Sequence, residues 1–270
     1  MHTPLIVSLW PDGSAQNPVE PEERPRLEVY LPDGVAPSPS AAVIVCPGGG
    51  YTRRAPHEAE PVARLFAAHG LVGMVCHYRV APHRFPAPQA DAARAVRLVR
   101  HRAAEWGINP QRVALMGFSA GGHLACTIAT RPDLFREPED GLVGSYAARP
   151  DRLILAYPVV SMTREYHHGS TENLLGPNPP EELRRQLSNE LHVTPQNPPV
   201  FIFHTADDPG VNVSNSLRFA EACLAHGVPV ELHIYQSGRH GVGLAADMPQ
   251  LRSWPSLLID WLHDWIEPLT

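Results

Sequence analysis

The segment 117–123, Gly-Phe-Ser-Ala-Gly-Gly-His, constrains the fold of this chain more than any other stretch of its 270 residues. The apolar run 113–116 precedes it and the small-residue run 120–130 follows it, which predicts a strand, a tight turn and a helix. Glycines stand two residues before and two residues after Ser119, where a Cβ would collide with the neighbouring backbone. Such a turn holds the serine hydroxyl at the carboxyl end of the strand, in front of the helix N-terminus.

Similar strand and helix patterns alternate along most of the chain. Continuous apolar runs are typical of strands buried on both faces, and a 3.6-residue apolar period is typical of helices. The predicted strands of this central part are 41–46, 71–77, 112–116, 153–157, 200–204 and 230–235, and the predicted helices are 58–69, 90–106, 120–130, 215–226 and 251–266. We therefore predict an α/β fold with a mostly parallel central sheet and helices on both faces. Two earlier runs, 5–10 and 26–31, are predicted to form its antiparallel edge.

One stretch interrupts this alternation. Between residues 159 and 199 the chain is polar and rich in proline, and only 180–191 has a helical pattern. The stretch is too short for a domain. Insertions in α/β sheets collect near the carboxyl ends of strands, so we expect a short lid over the site. The rest of the chain shows no repeat or linker, which predicts a single domain over residues 1–270.

Composition excludes several classes of function. The chain contains no lysine, which removes Schiff-base enzymes, Ser-x-x-Lys hydrolases and Walker phosphate loops. Its formal charge of −6 disfavours nucleic acid and anionic membranes as partners. In the long predicted helix, Arg94, Arg97 and Arg100 recur every three residues and are expected on its solvated face. The four cysteines are widely spaced, and we expect reduced packing residues rather than disulfides or metal ligands.

The N-terminal residues bear on localisation. Residues 1–5, Met-His-Thr-Pro-Leu, lack a basic region followed by an apolar run, so no signal peptide is visible. No apolar stretch is long enough to span a bilayer. A cytoplasmic location is expected, unless a leader has been trimmed from this chain.

The serine at this turn needs a base, an acid and oxyanion donors to act as a nucleophile. His240 is the favoured base among fifteen histidines, because it follows the strand 230–235 by a short loop and stands late in the chain. Asp207 and Asp208 both follow the strand 200–204, and successive residues point different ways, so only one can orient His240. Local turn chemistry does not separate them. We prefer Asp208, with Asp207 capping the turn or facing solvent.

Three consecutive glycines, Gly48 to Gly50, follow the first buried strand and let the backbone approach a ligand closely. A glycine-rich turn is common by itself. Combined with the turn at Ser119, it predicts an oxyanion site with the N–H groups of Gly49, Gly50 and Ala120 as donors. Loss of one such donor raises the barrier of a serine hydrolase by about 3 kcal/mol.

These segments together resemble the α/β-hydrolase superfamily, and within it the short-chain esterases that include acetyl xylan esterase-like enzymes. The resemblance covers nearly the whole chain, with segments in matching order at 46–51, from 58 onward, and at 77–79, 89–102, 117–125 and 238–241. Pro47 stands where relatives of hormone-sensitive lipase have histidine. In such families the acid usually stands four residues after the strand-end histidine, and the resemblance therefore points from His204 to Asp208.

The resemblance implies a serine esterase that hydrolyses short-chain acyl esters through a Ser-His-Asp triad and an acyl-enzyme, without a metal or organic cofactor. Proline in place of histidine at position 47 and the short lid favour small polar esters as substrates, with acetyl groups on sugars or xylan fragments as the leading candidate. Tyr51 and Arg54 lie just beyond the oxyanion segment and could line the alcohol site. The alternative interpretation is that both are ordinary exposed loop residues.

Two other functions fit parts of the pattern. A serine peptidase shares this catalytic domain, but such enzymes usually carry a large additional domain that selects peptides. Some proteins of this fold are binding modules that have lost the serine or the histidine, whereas this chain keeps both. The expected partner is a small-molecule ester. The apolar closing helix 251–266 could form a homodimer interface, but a helix that packs on the sheet would have the same pattern.

Overall fold

The computed structural model describes residues 3–17, 20, 23–32, 40–136 and 138–266. Its described strands form an eight-stranded sheet in the order β1-β2-β4-β3-β5-β6-β7-β8. These strands are β1 (Leu5–Ser8), β2 (Arg26–Tyr30), β3 (Ser40–Cys46), β4 (Val72–His77), β5 (Ile108–Phe118), β6 (Arg152–Ala156), β7 (Val200–Thr205) and β8 (Val230–Tyr235). The pairs β1–β2 and β2–β4 are antiparallel, and all pairs from β4–β3 to β7–β8 are parallel. The predicted parallel sheet with an antiparallel edge is confirmed.

The register of the central strands determines which loops meet. β3 lies between β4 and β5, with Ile44 opposite Met74 on one side and Leu115 on the other. Cys46, the last residue of β3, lies opposite Gly117 near the end of β5. Because parallel strands end at the same edge of a sheet, the segments that follow β3, β5, β7 and β8 come together there. Those segments contain every residue that the sequence nominates for the site.

Helices cover both faces of the sheet. The helices are α1 (Glu60–Ala68), α2 (Ala87–His101), α3 (Ser119–Thr130), α4 (His168–Leu175), α5 (Glu181–Gln186), α6 (Ser214–Ala225) and α7 (Trp254–Ile266). On one face α2, α3 and α6 bury apolar residues such as Val96, Leu124 and Phe219. On the other face α1 and α7 bury Phe66 and Leu258. Among the described residues, no helix is both long and apolar enough to cross a bilayer.

The stretch 159–199, predicted to be a lid with one helix at 180–191, contains more structure than its pattern indicates. It holds α4, α5 and a single 3₁₀ turn, Asn189–Leu191. The apolar pattern does not predict α4, whose first turn is capped by the His167 ring accepting a hydrogen bond from the Ser170 N–H. Sequence rules look for serine, threonine, aspartate or asparagine at that position, so a histidine cap gives no signal. That the stretch acts as a lid stays a prediction.

The arginines of α2 do not lie on a solvated face. Arg94, Arg97 and Arg100 are 5%, 0% and 9% exposed, which corrects the prediction. The Arg97 guanidinium donates to the Phe135 carbonyl, and the Arg100 guanidinium to the Asp151 carboxylate. Both acceptors belong to the long connection between α3 and β6, which covers this face of the helix. A buried cation is tolerated only with such acceptors, and the spacing along one helix carries no information about a distant covering segment.

The cysteines fill the interior of the fold. All four are free and buried, which confirms the prediction that they are packing residues. They are Cys46, Cys76, Cys126 and Cys223.

A buried ion pair joins the segment after β4 to α2. The side chains of Arg79 and Asp91 are 5% and 0% exposed. Two hydrogen bonds of 2.9 and 2.8 Å link the guanidinium to the carboxylate. The indole N–H of Trp10 donates to the same carboxylate at 2.7 Å. Asp91 therefore ties the N-terminal part of the chain and the end of β4 to one helix.

We predict that Asp91→Ala lowers the free energy of unfolding by about 3–5 kcal/mol, because the buried guanidinium of Arg79 and the N–H of Trp10 lose their charged acceptor. Urea unfolding followed by circular dichroism measures the loss. Glu105→Ala is the control: it breaks an exposed ion pair with Arg102 and should cost less than about 1 kcal/mol. A loss for Asp91→Ala no larger than that of the control contradicts the prediction.

Candidate active site

Ser119 lies at the tight turn between β5 and α3. β5 ends at Phe118 and α3 begins at Ser119, whose φ of 50° lies in the left-handed region that non-glycine residues rarely adopt. A Cβ at Gly117 would lie 2.1 Å from the Gly121 carbonyl oxygen. A Cβ at Gly121 would lie 2.1 Å from the carbonyl oxygen of Cys46. The absence of these side chains lets the turn pack directly against the end of β3, with the strained serine at the edge of the sheet.

A continuous series of hydrogen bonds joins the three side chains predicted as a triad. His240 follows β8, and its Nε2 lies 2.8 Å from Ser119 Oγ. Its Nδ1 lies 2.8 Å from Oδ2 of Asp208, which follows β7. The imidazole is 25% exposed, whereas the Asp208 side chain is 1% exposed. The structure thus brings together groups that are as far apart in the chain as 121 residues.

The Asp208 carboxylate is buried but well supplied with donors. One oxygen accepts the N–H groups of Gly210 and Val211 at 2.7 and 2.9 Å. The other oxygen, which contacts His240, also lies 3.4 Å from Nε2 of His204. Burial alone would raise the pKa of this carboxyl, but the hydrogen bonds from His204, His240 and Val211 outweigh it and hold the pKa well below its usual range. Asp208 is therefore ionised at neutral pH.

His204 is a supporting residue that the sequence indicates only as a spacing landmark. It is fully buried in β7. Its Nε2 lies 3.0 Å from the Val211 carbonyl, which can only accept, so the proton sits on Nε2 and is also directed towards Asp208. Its Nδ1 then accepts from the Ser216 hydroxyl at 2.7 Å. The available sequence signal is its position at a strand end, four residues before the acid.

Asp207, the alternative acid, faces away from the imidazole. It is exposed, and its carboxylate accepts from the Ser237 hydroxyl at 2.7 Å and from the Gly238 N–H at 2.8 Å. Asp207 therefore holds the turn that leads to His240. Of these two adjacent carboxylates, only Asp208 lies at hydrogen-bond distance from His240.

The glycine segment 48–50 turns two of its N–H groups away from the residues that follow it. The Gly48 carbonyl accepts from the Ala55 N–H, and the Gly49 carbonyl accepts from the Thr52 N–H. Across a planar trans peptide the next N–H points opposite to the carbonyl. The N–H groups of Gly49 and Gly50 therefore point away from these partners. The φ values of 124° and 65° at Gly49 and Gly50 lie where glycine is favoured.

This glycine segment runs directly beside the serine. A Cβ at Gly48 would lie 3.0 Å from the Cβ of Ser119. Ala120 follows Ser119 in the first turn of α3, where a backbone N–H has no acceptor within the helix. The three predicted oxyanion donors therefore belong to two backbone segments that lie next to the serine, the glycine segment and the first turn of α3.

The side chains of Tyr51 and Arg54 are used inside the protein. Tyr51 is fully buried, and its hydroxyl lies 2.8 Å from Nδ1 of His123. The prediction that the Tyr51 side chain lines the alcohol site is therefore corrected. Its φ is 63° and its ring lies in the core, a burial that its place in the loop does not reveal. The Arg54 guanidinium donates a hydrogen bond to the Tyr78 carbonyl at 2.6 Å, so one of its N–H groups is bound to the backbone.

Helix α4 contacts the glycine segment. The side-chain amide of Asn173 donates to the Gly50 carbonyl at 2.8 Å. The Leu174 carbonyl of the same helix accepts from the Phe85 N–H. Part of the stretch predicted as a lid therefore holds the backbone next to the predicted oxyanion donors. Sequence patterns give no signal for this contact, since Asn173 and Gly50 lie 123 residues apart.

His123, the last residue of the segment 117–123, is buried in α3. Its Nε2 lies 2.8 Å from the Leu187 carbonyl, so that nitrogen carries the proton, and Nδ1 accepts from the Tyr51 hydroxyl. Burial lowers the pKa of His123 to about 4. A neutral imidazole therefore links the serine helix to Tyr51, directly after the glycine segment, and to Leu187 in the stretch 159–199.

Comparison with known proteins reveals similarity over most of the chain. The family model described as BD-FAE matches residues 27–223. The acetylxylan esterase of Xylanibacter ruminicola is 33% identical over 249 residues, which cover 88% of this chain and 46% of that protein. This chain spans between a third and a half of the length of the curated relatives that head the comparison.

Solved structures share the architecture. The acetyl ester-xyloside bifunctional hydrolase from Caldicellulosiruptor lactoaceticus is 41% identical, with a TM-score of 0.91 over 98% of this chain and 97% of that chain. MGS-M1, an alpha/beta hydrolase from a Medee basin deep-sea metagenome library, is 28% identical, with a TM-score of 0.72 over 98% of both chains. These similarities confirm the predicted α/β-hydrolase fold.

We predict that His123 makes stability depend on pH. Its folded pKa of about 4 lies below the ordinary value of 6.5, so between these values the unfolded chain binds the proton and the folded chain does not. The free energy of unfolding should therefore fall as the pH drops through this window, by on the order of 3 kcal/mol from this group.

Urea unfolding at several pH values across the window measures the slope. His123→Gln should flatten it, because the titrating imidazole is gone. His168→Gln, at a histidine whose side chain is 81% exposed, is the matched control and should leave the slope as in the wild type. Equal slopes for wild type and His123→Gln would refute the prediction.

Proposed function

Because this chain belongs to the BD-FAE family of α/β-hydrolases, we propose that it is a serine esterase that hydrolyses short-chain acyl esters, with acetylated saccharides as its substrate class. The observation that carries the proposal is the pair of 2.8 Å hydrogen bonds from Ser119 through His240 to Asp208. In that order the groups suit a nucleophile, a general base and a carboxylate that orients the base.

In the first half of the proposed reaction, the Ser119 hydroxyl attacks the ester carbonyl carbon. Nε2 of His240 takes the hydroxyl proton as the bond forms. The carbonyl oxygen becomes an oxyanion, and the N–H groups of Gly49, Gly50 and Ala120 donate hydrogen bonds to it. When the tetrahedral intermediate collapses, the imidazolium protonates the departing alcohol, and the acyl group remains on the serine.

In the second half, water replaces the alcohol. His240 takes a proton from the water as its oxygen adds to the acyl-enzyme carbonyl, and the same donors hold the new oxyanion. Collapse returns the proton to the Ser119 oxygen and releases the short acid. Asp208 stays ionised throughout, since its pKa lies well below its usual range, and it stabilises the imidazolium of both halves. Besides the ester and water, these steps need only groups of this chain.

The relatives and the surface near the site both support small polar esters as substrates. An acetylxylan esterase and an acetyl ester-xyloside hydrolase are among the similar proteins. The two helices of the stretch 159–199 have eight and six residues, too few for a long apolar surface that would bind a lipid interface. Exposed positions of these helices include the charged residues Glu172, Glu181 and Arg185. Such a surface suits a hydroxyl-rich alcohol better than an acyl chain of a lipid.

We predict that the protein hydrolyses p-nitrophenyl acetate faster than the octanoate ester. Ser119→Ala should lower kcat/KM by on the order of 10⁴-fold or more, because the covalent step is lost. His240→Ala should cause a similar loss, since the two residues act as a unit. Release of p-nitrophenol measures both. Ser145→Ala, at an exposed serine, is the control, and undiminished hydrolysis by Ser119→Ala refutes the mechanism.

The substrate class is tested separately by acetate release from acetylated xylo-oligosaccharides. Release that depends on Ser119 supports the saccharide proposal. If p-nitrophenyl acetate is cleaved but no acetylated sugar is, the substrate class is wrong and the esterase proposal stands. Cleavage of aminoacyl p-nitroanilides in place of esters would instead favour the peptidase alternative. Binding of acetylated sugars without turnover would favour a binding module.

We predict that the two adjacent acids respond differently to removal of their charge. Asp208→Asn should lower kcat by on the order of 10⁴-fold, because the amide no longer holds the His240 tautomer or stabilises the imidazolium. Asp207→Asn should cost far less, since its carboxylate accepts hydrogen bonds from the turn at Ser237 and Gly238 and not from His240. Steady-state kinetics on p-nitrophenyl acetate give both values. A larger loss for Asp207→Asn would move the assignment to that residue.

A further inference from the structure

We propose that Glu58 is a positioning residue that couples the oxyanion segment to the loop that carries His240. The proposal rests on the proposed function and deepens it. Glu58 would act through Gly48 on one side and through Tyr157 on the other. Its role would be to keep the two loops aligned on the serine between them.

The Glu58 carboxylate is buried between the two parts that it would couple. Glu58 is 2% exposed and ends the 3₁₀ turn Pro56–Glu58 before α1. Its Oε2 accepts the Gly48 N–H at 2.7 Å, and its Oε1 accepts the Tyr157 hydroxyl at 2.8 Å. Both partners donate, which suits an ionised carboxylate because that group can only accept. Burial of such a group is costly unless its oxygens are bonded in this way.

On the first side, Glu58 holds the start of the glycine segment. A Cβ at Gly48 would lie 2.8 Å from Oε2 of Glu58 and 3.0 Å from the Cβ of Ser119, so the three residues pack in direct contact. With its N–H directed to the carboxylate, Gly48 is held at the point where the peptide of Gly49 begins. The orientation of the first proposed oxyanion donor therefore depends on this hydrogen bond.

On the second side, Tyr157 carries the contact to the catalytic histidine. Its ring lies edge to face against the His240 ring, with centroids 5.1 Å apart and an interplanar angle of 69°. Its hydroxyl accepts the Gly243 N–H at 2.9 Å while it donates to Glu58. The Tyr157 φ of 39° is strained for a residue with a side chain, which is typical of positions that the surrounding structure holds for a purpose.

A second link runs beside the first. Nε2 of His57 lies 2.9 Å from the Gly241 carbonyl and 3.6 Å from Oε1 of Glu58. The residues at positions 57 and 58 therefore both contact the loop that carries His240, at the residue directly after it and, through Tyr157, at Gly243.

The coupled loops approach the serine from opposite sides. The glycine segment follows β3 and the histidine loop follows β8, and β5 with Ser119 lies between those strands in the sheet. A small displacement of either loop would misalign the oxyanion donors or the base in the transition state, while a small ester could still bind. Loss of Glu58 should therefore lower kcat more than it raises KM.

The chain offers a matched control for the loss of a carboxylate that bonds a tyrosine. Glu28 of β2 accepts the Tyr30 hydroxyl at 3.1 Å and lies 2.9 Å from Nε2 of His77. This group lies near the antiparallel edge of the sheet rather than at the loops of the site. Glu28→Gln therefore removes the same chemistry without touching either coupled loop.

Glu58→Gln and Tyr157→Phe test the proposal, with kcat and KM measured on p-nitrophenyl acetate. Glu58→Gln preserves the shape but replaces one accepting oxygen with a donor. We expect kcat to fall by about 10- to 100-fold with KM changed by less than about threefold. Tyr157→Phe keeps the ring but removes the hydroxyl that links Glu58 to the histidine loop, so its kcat should also fall. Because the two substitutions break the same series of contacts, the loss of kcat in the double variant should be smaller than the product of the two single losses. Glu28→Gln should keep the wild-type kcat.

The rate at which a fluorophosphonate labels Ser119 gives a readout independent of the substrate. Labelling should slow in Glu58→Gln in parallel with kcat, while circular dichroism and urea unfolding report the folded fraction. Wild-type labelling and turnover by folded Glu58→Gln would overturn the proposal, as would a loss that only follows the unfolded fraction. If Glu58→Gln does not fold, a wild-type kcat for Tyr157→Phe overturns it. A wild type that labels but cleaves no ester refutes the proposed esterase function, while its labelling rate still tests Glu58; one that neither labels nor cleaves refutes Ser119 as the nucleophile as well.

Discussion

Close packing between the turn at Ser119 and the end of β3 is the constraint on which the rest of the site depends. No side chain fits at Gly121, where a Cβ would lie 2.1 Å from the Cys46 carbonyl oxygen. This contact brings the glycine segment beside the serine. The parallel register then delivers the loops after β7 and β8 to the same edge of the sheet. Groups far apart in the chain thus meet because Gly121 packs against Cys46 and because the parallel strands end at the same edge of the sheet.

Several polar groups around this edge are buried, and each of these has hydrogen-bond partners. Asp208 has donors from two histidines and the backbone, and His123 lies between a hydroxyl and a carbonyl. The stretch 159–199 supplies the Leu187 carbonyl to His123, and its Asn173 donates to the Gly50 carbonyl, so it supports the backbone around the candidate site. In a poorly hydrated site, fixed donors of this kind stabilise charge strongly, and the loss of one leaves an unpaired buried group.

The order of strands and helices could be predicted from the sequence, since each element carries its own apolar period. The positions of Ser119, His240 and the glycine segment at one edge also follow, because they depend on the glycines beside the serine and on the order of strand ends. The helix α4 could not be predicted, since a histidine caps it and little of it is apolar. The burial of Arg97 could not be predicted either, because it depends on a contact with Phe135, which lies 38 residues further along the chain.

The fold class, the tight turn and the set of loops that carry the candidate site can be predicted from the sequence alone, because local spacing and strand order encode them. The contact of Asp208 with His240, the burial of Tyr51 and the place of Glu58 between two loops depend on the tertiary structure. The physical reason is the same in each case. The direction of a side chain at a turn, and the partner it meets, depend on packing between segments far apart in the chain, which no local pattern records.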